Sequence, residues 1–98
     1  MIEKVYDLIE GMEEELEGAE KYAHKAFECA MHKRHSDASS YTSMAEEELR
    51  HYEKLDSMLK EHYDALGEEM KHYVDHKRGH LMRELAEIKH MISKANEK

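Results

Sequence analysis

The sequence contains no proline and no tryptophan, one phenylalanine, one cysteine and four glycines among its 98 residues. Without proline nothing forces a break inside a helix, and so few glycines leave room only for short, rare turns. The single thiol, Cys29, can form no internal disulfide and cannot build a cysteine-only zinc site. Strand character is missing as well: valine and isoleucine are scarce, and no apolar–polar alternation of strand length occurs. No uninterrupted apolar run approaches the roughly 20 residues of a membrane span, so no membrane partner is expected. The net charge of -8 leaves no basic stripe to neutralise phosphates, which argues against nucleic acid as a partner. The start, MIEKVYDLIEGMEEE, carries charges within its apolar portion, unlike a secretory leader, and a cytoplasmic location is the expectation.

What is present is helical. Ala, Glu, Lys, Leu, Met and Arg dominate, a composition that favours long helices. Apolar residues step by three and four through Ile2, Val5, Ile9, Met12, Leu16, Ala19, Ala23, Ala26 and Ala30, which defines a first helix with a narrow seam. The pattern stops at HKRHSDASS, where Ser36 or Asp37 can cap a second helix. That helix carries the seam Ala38, Tyr41, Ala45, Glu48, Tyr52, Leu55, Leu59, His62 and Leu66, and Gly67 is a plausible cap at its end. A third seam contains Met70, Val74, Leu81, Leu85, Ile88, Ile92 and Ala95. The expected architecture is all-α, one domain over residues 1–98, with helices at about 2–33, 37–66 and 68–95. Short connections make neighbouring helices antiparallel. Gly11, Gly18 and Gly79 fall inside these helices, for close helix approach or as tolerated defects.

Three Glu-x-x-His pairs occur: Glu48/His51, Glu69/His72 and Glu87/His90. Random placement of 18 Glu and nine His would give roughly 1.6 such pairs, so spacing alone decides nothing. Helical phase separates them. Glu48 lies on the seam of the second helix, and His51 lies on the adjoining line of Met44, Met58 and Ala65, so both are expected to face the bundle interior. Glu69/His72 and Glu87/His90 fall on polar faces. On the first helix, Glu15 is the only charged member of the line Leu8, Glu15, Tyr22, Cys29. A carboxylate in such a place pairs with a cation or a metal, or snorkels to water.

Carboxylate-bridged di-iron bundles take one Glu from each of two helices and Glu-x-x-His from each of two others. Glu15, Glu48 and His51 make half of that set, and two copies about a twofold axis would complete it. Carboxylates with imidazole suit iron, with manganese or zinc as alternatives, at two ions per homodimer or within a higher homo-oligomer.

At these residues the chain resembles the ferritin-like superfamily, above all rubrerythrins and encapsulated ferritin-like proteins. The stretch EELEGAEKY (14–22) is similar to the family's first-helix pattern, and MAEEELRHYEKL (44–55) to its second-helix pattern; the likeness covers roughly residues 10–60. It implies that Glu15 is a ligand, Glu48 a bridging ligand and His51 a terminal one, with Tyr22 supporting them. Half of a four-helix bundle per chain, completed by homodimerisation, is the implied fold. The implied activity is that of a ferroxidase, an oxidoreductase converting Fe(II) to Fe(III) with oxygen or peroxide. Two departures stand out: no rubredoxin module is present, and the C-terminal SKANEK has no apolar targeting segment.

Tyr41 and Tyr52 bracket Glu48 and are placed to hydrogen-bond the ligand carboxylates. His72, His76 and His80 recur every four residues as a surface line that either chelates a divalent metal or is simply solvated. His62 is expected as a core histidine. Glu84, amid Leu81, Leu85, Ile88 and Met91, is either a further carboxylate towards the metal or a partner for Arg83 or Lys77. Two other function classes remain: a non-catalytic helical oligomerisation module, and a His-rich divalent-metal sequestering protein.

Overall fold

A computed structural model describes residues 1–98 and contains three helices and no strand. They are α1 (Ile2–Met31), α2 (His35–Tyr63) and α3 (Glu68–Glu97). The all-helical class and the three long helices match the composition, while the ends differ from those expected. Helix α1 stops at Met31 because Lys33 takes a left-handed conformation, φ 59°. Its amide bonds back to Ala30 O at 3.0 Å and that of Arg34 to Cys29 O at 2.8 Å, the double closure of a Schellman turn. Neither Ser36 nor Asp37 caps α2. Its N-cap is Arg34, whose guanidinium pairs with Asp37 at 2.6 Å. Gly67 ends no helix either: with φ -72° and ψ 167° it is the N-cap of α3.

Contacts between α1 and α2 run in opposite order along the two helices: Gly11 against Leu55, Glu15 against His51, Gly18 against Glu48, Tyr22 against Tyr41. Those between α2 and α3 do the same, with Asp56 on Arg78 and Tyr63 on Asp75. Between α1 and α3 the order is shared: Tyr6 with Tyr73, Glu13 with Lys77, Phe27 with Lys98. The molecule is a rod of 51 × 17 × 15 Å.

The core follows seven-residue lines. On α1 both Val5/Met12/Ala19/Ala26 and Ile9/Leu16/Ala23/Ala30 are buried; on α3 it is Val74/Leu81/Ile88/Ala95. The expected seam of α2 splits in two. Ala38, Ala45, Tyr52, Leu59 and Leu66 are buried, but Tyr41, Glu48, Leu55 and His62 are only half-buried. Leu8, Glu15, Tyr22 and Cys29 form the matching flank of α1, where Glu15 and Tyr22 are half-buried. At 100° per residue, these flanks lie on the side of the α1–α2 contact away from α3.

Helix α3 is held on its own side by a bidentate pair, Arg78 to Asp56 at 2.7 and 3.1 Å, with Lys60 a further 3.4 Å from the same carboxylate. Burial alone would raise the Asp56 carboxyl, but the hydrogen bonds and charge of Arg78 bring it below its ordinary value. Tyr52 is buried beside this pair, and burial followed by the Asp56 charge pushes its hydroxyl up.

Candidate metal centre

Glu15, Glu48 and His51 come together across the α1–α2 contact. Their ligand atoms all lie within 4.8 Å of one another. They do not face a closed interior, as the seam count had implied: Glu15 keeps 25% of its side-chain exposure and His51 52%. The reason is the position of α3, which covers the opposite flank and leaves this one open. The line Met44, His51, Met58, Ala65, expected to be internal, lies at or near the surface for the same reason, with Met44 39% exposed.

The electrostatics of the three groups are unfinished. Oxygen Oε2 of Glu15 is buried and accepts no hydrogen bond. His51 Nδ1 stands 3.4 Å from it, too far for a good hydrogen bond. Burial, and then the adjoining Glu15 carboxylate, raise the Glu48 carboxyl above its ordinary value. Two carboxylates side by side with an orphaned oxygen are a poor arrangement for a bare protein and a good one for a cation. Two donors each about 2.2 Å from an ion stand at most about 4.4 Å apart. No pair of the observed ligand atoms is more than 4.8 Å apart, so any excess over that limit is a few tenths of an ångström, within reach of side-chain rotation. The donor set, two carboxylates and an imidazole, fits iron, manganese or zinc.

The tyrosines stand differently from one another. Tyr22 and Tyr41 stack at 6.3 Å with an interplanar angle of 22°, and Lys25 Nζ lies 5.6 Å over the Tyr41 ring. They close the flank one turn beyond Gly18. Tyr52 points instead into the core near Asp56 and Arg78. None of the three hydroxyls donates to Glu15 or Glu48.

The remaining histidines are not gathered. Glu69, His72, Glu87 and His90 are exposed, in keeping with their polar faces. His76 and His80 pack edge to face, centroids 4.7 Å apart and 84° between planes, so their rings do not aim at a common point. Arg83 donates to His80 Nδ1 at 3.0 Å, and Lys77 pairs with Glu13 at 3.5 Å. Glu84 therefore has neither expected partner and lies exposed, outside the group of Glu15, Glu48 and His51. His62 is half-buried rather than core.

Sequence reasoning left undecided one residue that belongs to this site, Gly18. Its phase was the available signal: Gly11 and Gly18 lie four residues before and three after Glu15, on the same flank. Comparison with protein-family models, curated proteins and solved structures finds no match.

Proposed function

We propose that the chain is a ferritin-like di-metal protein that acts as a homodimer, oxidising Fe(II) to Fe(III) with oxygen or peroxide. In this reading, antiparallel α1–α2 pairs from two copies form a four-helix bundle around two ions. One chain has two carboxylates and one imidazole at the site, and a twofold copy doubles these to the complete ligand set. The observation that carries the proposal is the buried, partnerless Glu15 Oε2 beside Glu48 and His51 on the flank that α3 leaves open. Half-buried Tyr22, Tyr41, Leu55 and Met58 give that flank apolar surface for a second copy to cover.

As substrate, a pair of Fe(II) ions supplies two electrons, and one peroxide with two protons takes them up as two waters. In such a dimer Glu48 would bridge the two positions, while Glu15 and His51 would each hold one. Metal binding favours the ionised Glu48 carboxylate, against the burial and the Glu15 charge that raise it above its ordinary value. The stacked Tyr22 and Tyr41 rings limit water at one end.

Anaerobic Fe(II) loading of the purified protein tests this, with an expected content of about one iron per chain. Glu48→Ala and His51→Ala lose that iron, and peroxide then produces Fe(III) only in the native protein. Absence of iron above background in the native protein defeats the proposal.

A further inference from the structure

Two of the four glycines accept side chains from α2. A Cβ on Gly11 would meet Leu55 Cδ1 at 3.1 Å; one on Gly18 would meet Glu48 Oε2 at 2.7 Å, Cδ at 3.4 Å and Cγ at 3.7 Å. Gly67 and Gly79 meet nothing within 4 Å. Glycine pairs and α2 residues are each seven apart, so two recesses in α1 take two successive projections from α2.

The recesses differ in what fills them. Leu55 in the Gly11 recess is apolar packing. In the Gly18 recess lies a carboxylate, which has no reason to seek a helix backbone unless something there needs it. Helix interiors disfavour glycine relative to alanine, and at 18, unlike at 79, the missing Cβ leaves a space that an α2 side chain fills. We propose that Gly18 is a positioning residue for the metal site: its missing Cβ lets the Glu48 carboxylate lie against α1, beside Glu15 and within reach of His51. This rests on the metal-binding reading given above.

An alanine at 18 does not have to unfold the protein, because the atom it displaces is the far end of a flexible side chain on an open flank. Glu48 swings outwards, away from Glu15. Fold stability and metal affinity therefore separate in this variant, which a purely structural glycine would not allow.

The test compares the native protein with Gly18→Ala and Gly79→Ala, measuring Zn(II) binding by calorimetry and urea midpoints in chelator. The expected result is native affinity for Gly79→Ala and at least tenfold weaker binding for Gly18→Ala, whose metal-free midpoint does not fall. Native affinity in Gly18→Ala, with the native protein binding, overturns the role of Gly18 alone. If the native protein binds neither Zn(II) nor Fe(II), the metal-binding reading fails and Gly18 loses its role with it. The metal-free arm then still judges the contact by comparing Gly18→Ala in native and Glu48→Ala backgrounds. A larger midpoint gain, or recovery of folding, in the Glu48→Ala background supports it; equal gains, or failure to fold in both, overturn it.

Discussion

Replacing Glu48 by glutamine keeps the shape of the site and removes one charge, with opposite effects on stability and on metal binding. In the metal-free protein, Glu15 Oε2 is buried without a donor, and such a group costs on the order of 1–3 kcal/mol. Glu15 retains 25% exposure, so the lower end applies. The amide of Glu48→Gln can donate to that oxygen and ends the crowding of two carboxylates. The variant is expected to be more stable than the native protein by about 1 kcal/mol at neutral pH, a rise of roughly 4–8 °C in Tm for a domain of this size.

Metal reverses the order. A ligand at a hundredfold excess over its Kd stabilises the native protein by about 2.7 kcal/mol, and the glutamine variant gains none of it. The pH dependence has a definite sign. The Glu48 carboxyl titrates above its ordinary 4.5 in the fold, so its contribution is fully present below 4.5 and lost as pH rises through the raised value. The metal-free advantage of Glu48→Gln therefore grows with pH across that window and is constant above it. Urea denaturation at one protein concentration, with chelator and with Zn(II), measures both quantities. A glutamine variant that is less stable without metal, or that keeps the metal-induced gain, refutes the reasoning.

Three further perturbations probe the frame around the site. Lys33→Gly relieves a left-handed lysine at φ 59° and is expected to raise stability by about 1 kcal/mol in thermal melts, with metal binding untouched. Arg78→Met removes the bidentate partner of Asp56. Breaking a fully buried pair costs roughly 3–5 kcal/mol, but Asp56 is 14% and Arg78 24% exposed and Lys60 remains, so a loss of about 1–2 kcal/mol is expected by urea denaturation. Asp56 titrates below its ordinary 3.8, so its contribution holds above 3.8 and disappears as pH falls through the lowered value; Arg78→Met flattens that acid limb. Leu16→Ala empties a fully buried position and is expected to cost about 2–5 kcal/mol by the same assay, a large part of what a chain of this size has.

Helix number, the buried line of α1 and the gathering of Glu15, Glu48 and His51 were legible in the sequence because each depends on a period of three to four residues. Burial of Glu48 was not. A count by threes and fours treats Ala45, Glu48 and Tyr52 as one seam, whereas packing divides them into neighbouring seven-residue lines. Which line is covered depends on where α3 docks, with Val74, Leu81 and Ile88 in the core and Asp56–Arg78 and Tyr63–Asp75 beside them, pairs with no sequence signature of their own. The turn at Lys33 was equally hidden, since a lysine in place of the usual glycine carries no warning.

The position of α3 also bears on the proposal that the site is completed by a second chain. Had α3 covered the Glu15–Glu48 flank, the two carboxylates would have been sealed in with no room for further ligands, and apolar replacements would have been favoured. Docked on the Asp56 side, it leaves a strip where half-buried tyrosine, leucine and methionine surround a carboxylate oxygen with no donor. Either deficiency taken alone has an ordinary remedy: water for the oxygen, a lid for the apolar strip. Water would leave the strip exposed, and an apolar lid would leave the oxygen unsatisfied. A second α1–α2 pair that brings ligands with its apolar surface, closing around a cation, meets both at once, which is why the proposed dimer and the proposed metal stand or fall together.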